Sequence, residues 1–152
     1  MIILEEFIWR QDHYAYHLTN TNDIKNIRNV GLKPLCGKRS LSIGDNIKGI
    51  FFFDYLGSTI DWIDALYPDT NIYELELLRF NLKNRKWIKH NENEFYLIHN
   101  VHTDKIDYLR IHDIEKNIEL PLSYIIQNNI ELEWNNLNEY KPLTRKITQK
   151  HL

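Results

Sequence analysis

The chain has 152 residues, 43% hydrophobic and 12% aromatic, enough to bury one good core but hardly two. Its formal net charge of −2 leaves no basic footprint, so nothing at this level points to binding of long nucleic acid through backbone phosphates. The single cysteine, Cys36, excludes an internal disulfide, and no apolar run approaches the roughly 18–20 residues that span a bilayer. The opening residues also lack the basic start and long apolar run of a signal peptide. These features predict a single domain over residues 1–152, core about 14–134 with peripheral termini, in a reducing cytoplasm or delivered into one, with no membrane partner.

Ile2 to Trp9 reads as an edge strand or a loosely docked arm. Tyr14 to Thr19 alternates as a short strand, and Asn20 to Asn22 supplies turn and cap chemistry. Between Asn22 and Val30 the apolar residues Ile24, Ile27 and Val30 fall three apart, which predicts one helical stripe, stopped by Gly31. Leu32-Lys33-Pro34 is extended, and residues 35–48 form a polar loop of the kind that carries binding residues. Gly49 to Phe53 is apolar on both faces and therefore predicts a central strand. A helix follows from Asp54 to Ala65.

Asn71 to Phe80 is the longest strand candidate, with Tyr73, Leu75 and Leu77 on one face and Glu74 and Glu76 on the other. After a basic, polar stretch around Trp87 come short strands over Phe95–Ile98 and Asp107–Ile111, then further short elements at Ile118–Ile126 and Ile130–Trp134. Many strands and two short helices argue for an α+β domain.

No G-x-x-x-x-G-K-[ST] phosphate loop and no G-x-G-x-x-G is present. His17 lies at the end of a strand, where a structural hydrogen bond is the plain reading. Glu92 and Glu94 share a face if their segment is extended. His90, His99 and His102 lack both a cysteine partner and a helix to space them, so no metal site is expected. Cys36 sits beside Lys38 and Arg39 without a neighbouring histidine, which argues against a catalytic thiol.

The order of the weaker signals resembles the ADP-ribosyltransferases, in the diphtheria-toxin and poly(ADP-ribose) polymerase branch with its His-Tyr-Glu triad. Tyr16-His17-Leu18-Thr19 is similar to that family's strand ending in His-Gly-Ser or His-Gly-Thr, and Gly31-Leu32 to the Gly-Leu after its first helix. Gly49-Ile50-Phe51-Phe52 is similar to its Gly-Ile-Tyr-Phe strand. Ser58-Thr59 to Trp62 is similar to a helix start ending in an aromatic, and Asn93-Glu94-Phe95 to the Asn-Glu-Tyr that bears the catalytic glutamate. The resemblance spans roughly Tyr14 to Ile111.

It implies two small, packed, mostly antiparallel sheets with short flanking helices and an NAD cleft between them. It implies an enzyme that cleaves NAD at the nicotinamide glycosidic bond and transfers ADP-ribose to a protein or nucleic-acid acceptor, with no metal. The roles implied are Glu94 on the nicotinamide ribose, His17 on the adenosine ribose, and the backbone of Leu18 on the nicotinamide amide. Thr59 would add a hydroxyl to that amide, and Phe51 and Trp62 would sandwich the ring. Thr19 and Gly49 complete the NAD-binding set, and Glu92 and Arg39 are acceptor-orienting candidates.

Two departures from the family pattern, Phe51 for its tyrosine and Leu18 for its small residue, together with the short span from Trp62 to Glu94, fit a mono-transferase better than a polymerase. A bacterial or phage toxin or effector, with a cognate antitoxin as a further partner, is the matching biological setting. An NAD-dependent RNA 2′-phosphotransferase, an NAD glycohydrolase and a catalytically dead binding module of the same fold are the alternatives. Lys83, Arg85, Lys86, Trp87 and Lys89, with the Lys38–Lys48 loop, are the surfaces to suspect for a nucleic-acid acceptor.

Overall fold

A computed structural model describes residues 13–35, 47–66, 72–92, 94–125 and 128–143. Cys36, Arg39, most of the polar loop and the Ile2–Trp9 segment lie outside the described residues. Eight strands carry the fold: β1 (Tyr14–Asn20), β2 (Ile50–Phe53), β3 (Leu75–Asn81), β4 (Ile88–Lys89), β5 (Glu94–Leu97), β6 (Asp107–Asp113), β7 (Ile118–Leu120) and β8 (Ile130–Asn136). Two helices accompany them, α1 (Ile24–Val30) and α2 (Leu56–Leu66). All strand pairs are antiparallel, in the order β4-β5-β2-β1-β3-β6-β7, and β8 lies along the other edge of β6. The chain is thus α+β and sheet-rich.

The expected pair of packed sheets is instead one ladder with a thin junction. β1 pairs with β3 through seven residues but with β2 through Tyr16 and Phe53 alone. Each face of the ladder carries its own core. Ala15, Leu78, Phe80, Phe52 and Phe95 meet Ile24 and Ile27 of α1 on one face. Leu77, Leu109 and Ile111 meet Ile63 of α2 and Leu122 on the other. β2 sends Ile50 and Phe52 into one core and packs Phe51 and Phe53 against rings on the other face, which is why Gly49–Phe53 shows no alternation.

Three expectations change. The segment before Leu75 is a 3₁₀ turn, Ile72–Glu74, so β3 starts later than its alternation predicts. Glu76 is not on a solvent face: β3 is flanked by β1 and β6 and covered on both sides, leaving this carboxylate 6% exposed. It is offset by Arg110, 3% exposed, whose Nη1 donates to Glu76 Oε1 at 3.1 Å, while the Tyr140 hydroxyl donates to Oε2 at 2.8 Å. Finally, Ile24 and Ile27 are buried as the stripe predicts, but Val30 is exposed beside a cavity.

α1 is held from both ends. Asn20 accepts from the Asn22 N–H, so a 3₁₀ turn over Thr21–Asp23 runs straight into the helix. At the other end the buried Thr103 hydroxyl hydrogen-bonds the carbonyls of Ile27 and Arg28, at 2.8 and 3.1 Å. Gly31 closes the helix at φ 77°, where a side chain is disfavoured, and an added Cβ would stand 2.3 Å from the Val101 carbonyl oxygen. Its neighbour Leu32 exchanges two 2.9 Å backbone bonds with Val101, which anchors the return of the chain toward β2. No helix among the described residues is long and apolar enough to cross a membrane.

Candidate functional site

Between α1, the end of β1 and the start of β2 lies a cavity of about 330 Å³. Ile27, Leu32 and Ile50 give it an apolar floor, and His17, Thr19, Asp23, Asn26 and Lys33 give it polar walls. Its volume sits at the lower end for small-molecule sites, the size of a nucleoside rather than of a whole dinucleotide. Four of the residues expected to bind NAD line it: His17, Thr19, Gly49 and Phe51.

His17 occupies the point where the β1–β2 ladder stops. Its Nδ1–H donates to the Phe51 carbonyl at 2.5 Å, which fixes the tautomer and leaves Nε2 as an acceptor. Burial pushes the His17 pKa below its ordinary value, with the bond to Phe51 opposing, so the ring is neutral at physiological pH. Gly49 is needed for packing: a Cβ there would come within 2.8 Å of the Tyr96 ring. Its backbone pairs with Leu35, which closes one wall of the cavity.

Glu94 stands on the opposite face of the ladder. Phe53 pairs with Glu94 and Phe51 with Tyr96, so these four side chains share one face. The register continues through Tyr16, Arg79, Asp107 and Asn136 as one rank across the sheet. Glu94 is the first residue of β5, and the turn before it grips it. Its carbonyl accepts from the N–H of His90 (2.9 Å) and of Asn91 (3.1 Å), and its own N–H donates to Asn91 Oδ1 at 3.0 Å. Its carboxylate is partly exposed and lies 4.0 Å from His90 Nε2. The His90 ring in turn meets Phe51 and Tyr96 edge-on, with centroids 5.2 and 6.3 Å away. Sequence reasoning met His90 only as a metal-ligand candidate; its place beside Glu94 depends on the hairpin turn.

The remaining expected residues are distributed around this arrangement. Trp62 lies on the Glu94 face, its ring 6.2 Å from Phe53, whereas the Phe51 ring packs on Tyr96 and His90. Leu18 faces Leu77 and the α2-side core, leaving only its backbone near the junction. Thr59 is fully buried and its hydroxyl donates to the Tyr55 carbonyl at 3.0 Å, one turn back, so that donor is committed to the helix. Glu92 precedes β5 rather than belonging to it, is highly exposed, and lies 3.8 Å from the Lys89 ammonium, so it does not share the strand face with Glu94.

Trp87 packs edge-on against Phe95 at 5.7 Å, and Arg85 donates to the Asn81 carbonyl, so this basic stretch is partly tied to the core. His102 caps the following turn through the Asp104 N–H, and His99 is exposed. Among the described residues no three His, Cys, Asp or Glu side chains are grouped to hold a metal ion. Asp23, Asn26 and Lys33 were missed from sequence because only the fold brings a helix flank and a loop return together. Comparison with protein-family models, curated proteins and solved structures finds no match to this chain.

Proposed function

We propose that this chain is an ADP-ribosyltransferase-like enzyme that cleaves NAD at the bond between nicotinamide and ribose and passes ADP-ribose to a macromolecular acceptor. The observation that carries the reading is the junction of β1 and β2. A nucleoside-sized cavity holds a neutral, oriented His17 on one side, and Glu94, its backbone held by the turn before β5 and its carboxylate partly exposed, stands on the other. A dinucleotide entering this junction puts its adenosine half in the cavity, where His17 Nε2 accepts from a ribose hydroxyl. Its nicotinamide ribose then crosses toward Glu94, with Phe53 and Trp62 available beside the ring.

The chemistry follows from charge. When the glycosidic bond breaks, its electron pair leaves with the nicotinamide nitrogen, which becomes neutral, and positive charge develops on the sugar, as in glycoside hydrolysis. A fixed carboxylate that accepts from the 2′-hydroxyl stabilises that charge more than it stabilises bound NAD, which lowers the barrier. The acceptor nucleophile then bonds to the anomeric carbon and gives up its proton. With water as nucleophile the same site is a glycohydrolase.

The test is incubation of the purified chain with NAD, alone and with lysate, following nicotinamide release and labelled ADP-ribose on protein and nucleic-acid fractions. Release with label on one fraction supports transfer and names the acceptor class. Glu94→Gln keeps NAD binding and loses release by about a hundredfold or more; unchanged release in that variant removes the mechanism.

A further inference from the structure

The two flanks of α1 differ in charge. Asp23, Asn26, Ile27 and Val30 line the His17 cavity, whereas Asn22, Lys25, Arg28 and Asn29 recur at helical spacing along the other flank. That second flank borders a groove of about 600 Å³ completed by Asn138, Tyr140 and Pro142. No aspartate or glutamate lines it, although the chain carries 21 of them against 19 lysines and arginines. We infer that this groove binds a phosphate monoester of about nucleotide size, with Lys25 and Arg28 on the phosphate. The site is separate from the His17 cavity and does not rest on the NAD reading.

Two cations three residues apart on a helix stand about 5–6 Å apart at Cβ and repel each other. Among the described residues neither Lys25 nor Arg28 makes an ion pair that would relieve this. Arg28 spends one of its donors on the Asn138 carbonyl, from Nη2 at 2.8 Å, which holds the guanidinium at the groove, and the Lys25 ammonium spends none. The Asn138 amide donates to Asp104 Oδ1 at 2.9 Å, so that carboxylate is engaged with the asparagine rather than with either cation. The side-chain amides of Asn22 and Asn29 make no hydrogen bond with another described residue, and the Thr21 hydroxyl in the same lining is withdrawn from water without a partner there. A phosphate dianion supplies both the missing countercharge and the acceptors, two of them for one guanidinium. The volume exceeds what a bare phosphate fills and lies in the range of small-molecule sites. The rest of the lining is apolar: Ile24 is buried, and Tyr140, its hydroxyl given to Glu76, presents its ring beside Pro142. A phosphate carried on an organic body matches both parts of the groove, whereas a bare anion matches only the first.

The experiment titrates AMP, inorganic phosphate and a short single-stranded oligothymidylate into the purified, nitrogen-15-labelled chain at constant ionic strength, read from backbone amide shifts. The Lys25→Gln and Lys25→Gln/Arg28→Gln variants are titrated and melted alongside. AMP should shift the amides of Asn22, Lys25, Arg28, Asn29 and Asn138, with a Kd of about 1 mM or tighter and about tenfold below that of inorganic phosphate. The single variant should weaken AMP binding by about threefold and the double variant by at least about tenfold. Melting temperatures should stay at or above wild type, because a like-charge pair is removed. Should the double variant melt early, the Lys25→Gln protein, which loses no ion pair, carries the comparison. Equal affinity for AMP and inorganic phosphate would mean an adventitious ion only and overturn the inference. Shifts confined to Thr19, Asn26 and Lys33 would overturn it by placing AMP in the His17 cavity, and binding unchanged in both variants, or no shift at all, would overturn it outright. Oligothymidylate shifting the same amides at lower concentration than AMP would overturn the small-molecule assignment and place the phosphate in a polynucleotide. None of these failures touches the NAD reading, which is tested by nicotinamide release.

Discussion

Substituting alanine at two glycines should move stability in opposite directions. Gly31 sits at φ 77°, and its added Cβ would come within 2.3 Å of the Val101 carbonyl oxygen, a backbone atom that cannot swing aside as a side chain can. With ψ at −175° this backbone lies in a region populated essentially by glycine alone, which costs an alanine at least about 1 kcal/mol. Relieving the clash means separating Gly31 from Val101, which disrupts the paired 2.9 Å bonds between Leu32 and Val101, at about 1 kcal/mol each. Gly31→Ala should therefore destabilise the fold by about 3 kcal/mol, a large share of the ordinary 5–15 kcal/mol of a domain. Gly57 lies inside α2, is exposed, and has nothing within 4 Å of an added Cβ. Gly57→Ala should stabilise by about 0.5–1 kcal/mol. Urea titrations of the three proteins measure both differences. A loss below about 1 kcal/mol at Gly31 would show that the α1–Val101 contact yields, and that the cavity wall built on Leu32 is not rigid.

Two further outcomes follow from the buried charges. Arg110→Ala leaves the Glu76 carboxylate in the core with only the Tyr140 hydroxyl, and should cost about 3–5 kcal/mol by urea titration. A double Glu76→Leu, Arg110→Met variant should recover most of that loss, and failure to recover any would place the cost in packing rather than charge. His17 gives an acid-side effect: burial lowers its folded-state pKa, so below about pH 6.5 the unfolded chain takes up a proton that the folded chain does not. Stability should fall as pH drops through that region, by at most about 1.4 kcal/mol per unit from this group, and level off once the folded imidazole charges as well. Histidine NMR titration of the folded protein with stability curves for wild type and His17→Asn checks both parts; an unchanged slope in the variant would refute it.

Much of the scaffold was legible because its signals are local. Asn20, the Ile24–Ile27 spacing and Gly31 announce a capped, stopped helix, and the run Gly49–Phe53 announces a strand covered on both faces. Alternation misled at Glu74 and Glu76 because it reports only one-sided burial, and the partner that makes a buried Glu76 tolerable, Arg110, lies 34 residues away with no local mark. The candidate site is only partly accessible to such local signals. Order along the chain singles out His17 and Glu94 as candidates, but their placement on opposite faces, the commitment of Thr59 to its own helix, and the presence of Asp23, Asn26 and Lys33 at the cavity all depend on register and helix docking.

That opposite placement sets a condition on function. Neighbouring strands stand about 4.8 Å apart, and a continuous ladder between β1 and β2 would put a hydrogen-bonded wall between the two residues. The ladder is a single pair, Tyr16 with Phe53, and beyond it the His17 side chain takes the Phe51 carbonyl. A molecule that touches both His17 and Glu94, as the proposed NAD chemistry requires, has to reach from one face of the sheet to the other. The short β2 and the side-chain bond at Phe51 end the ladder at His17, and the turn before β5 fixes the Glu94 backbone on the far face, so the proposed reaction depends on these three features together.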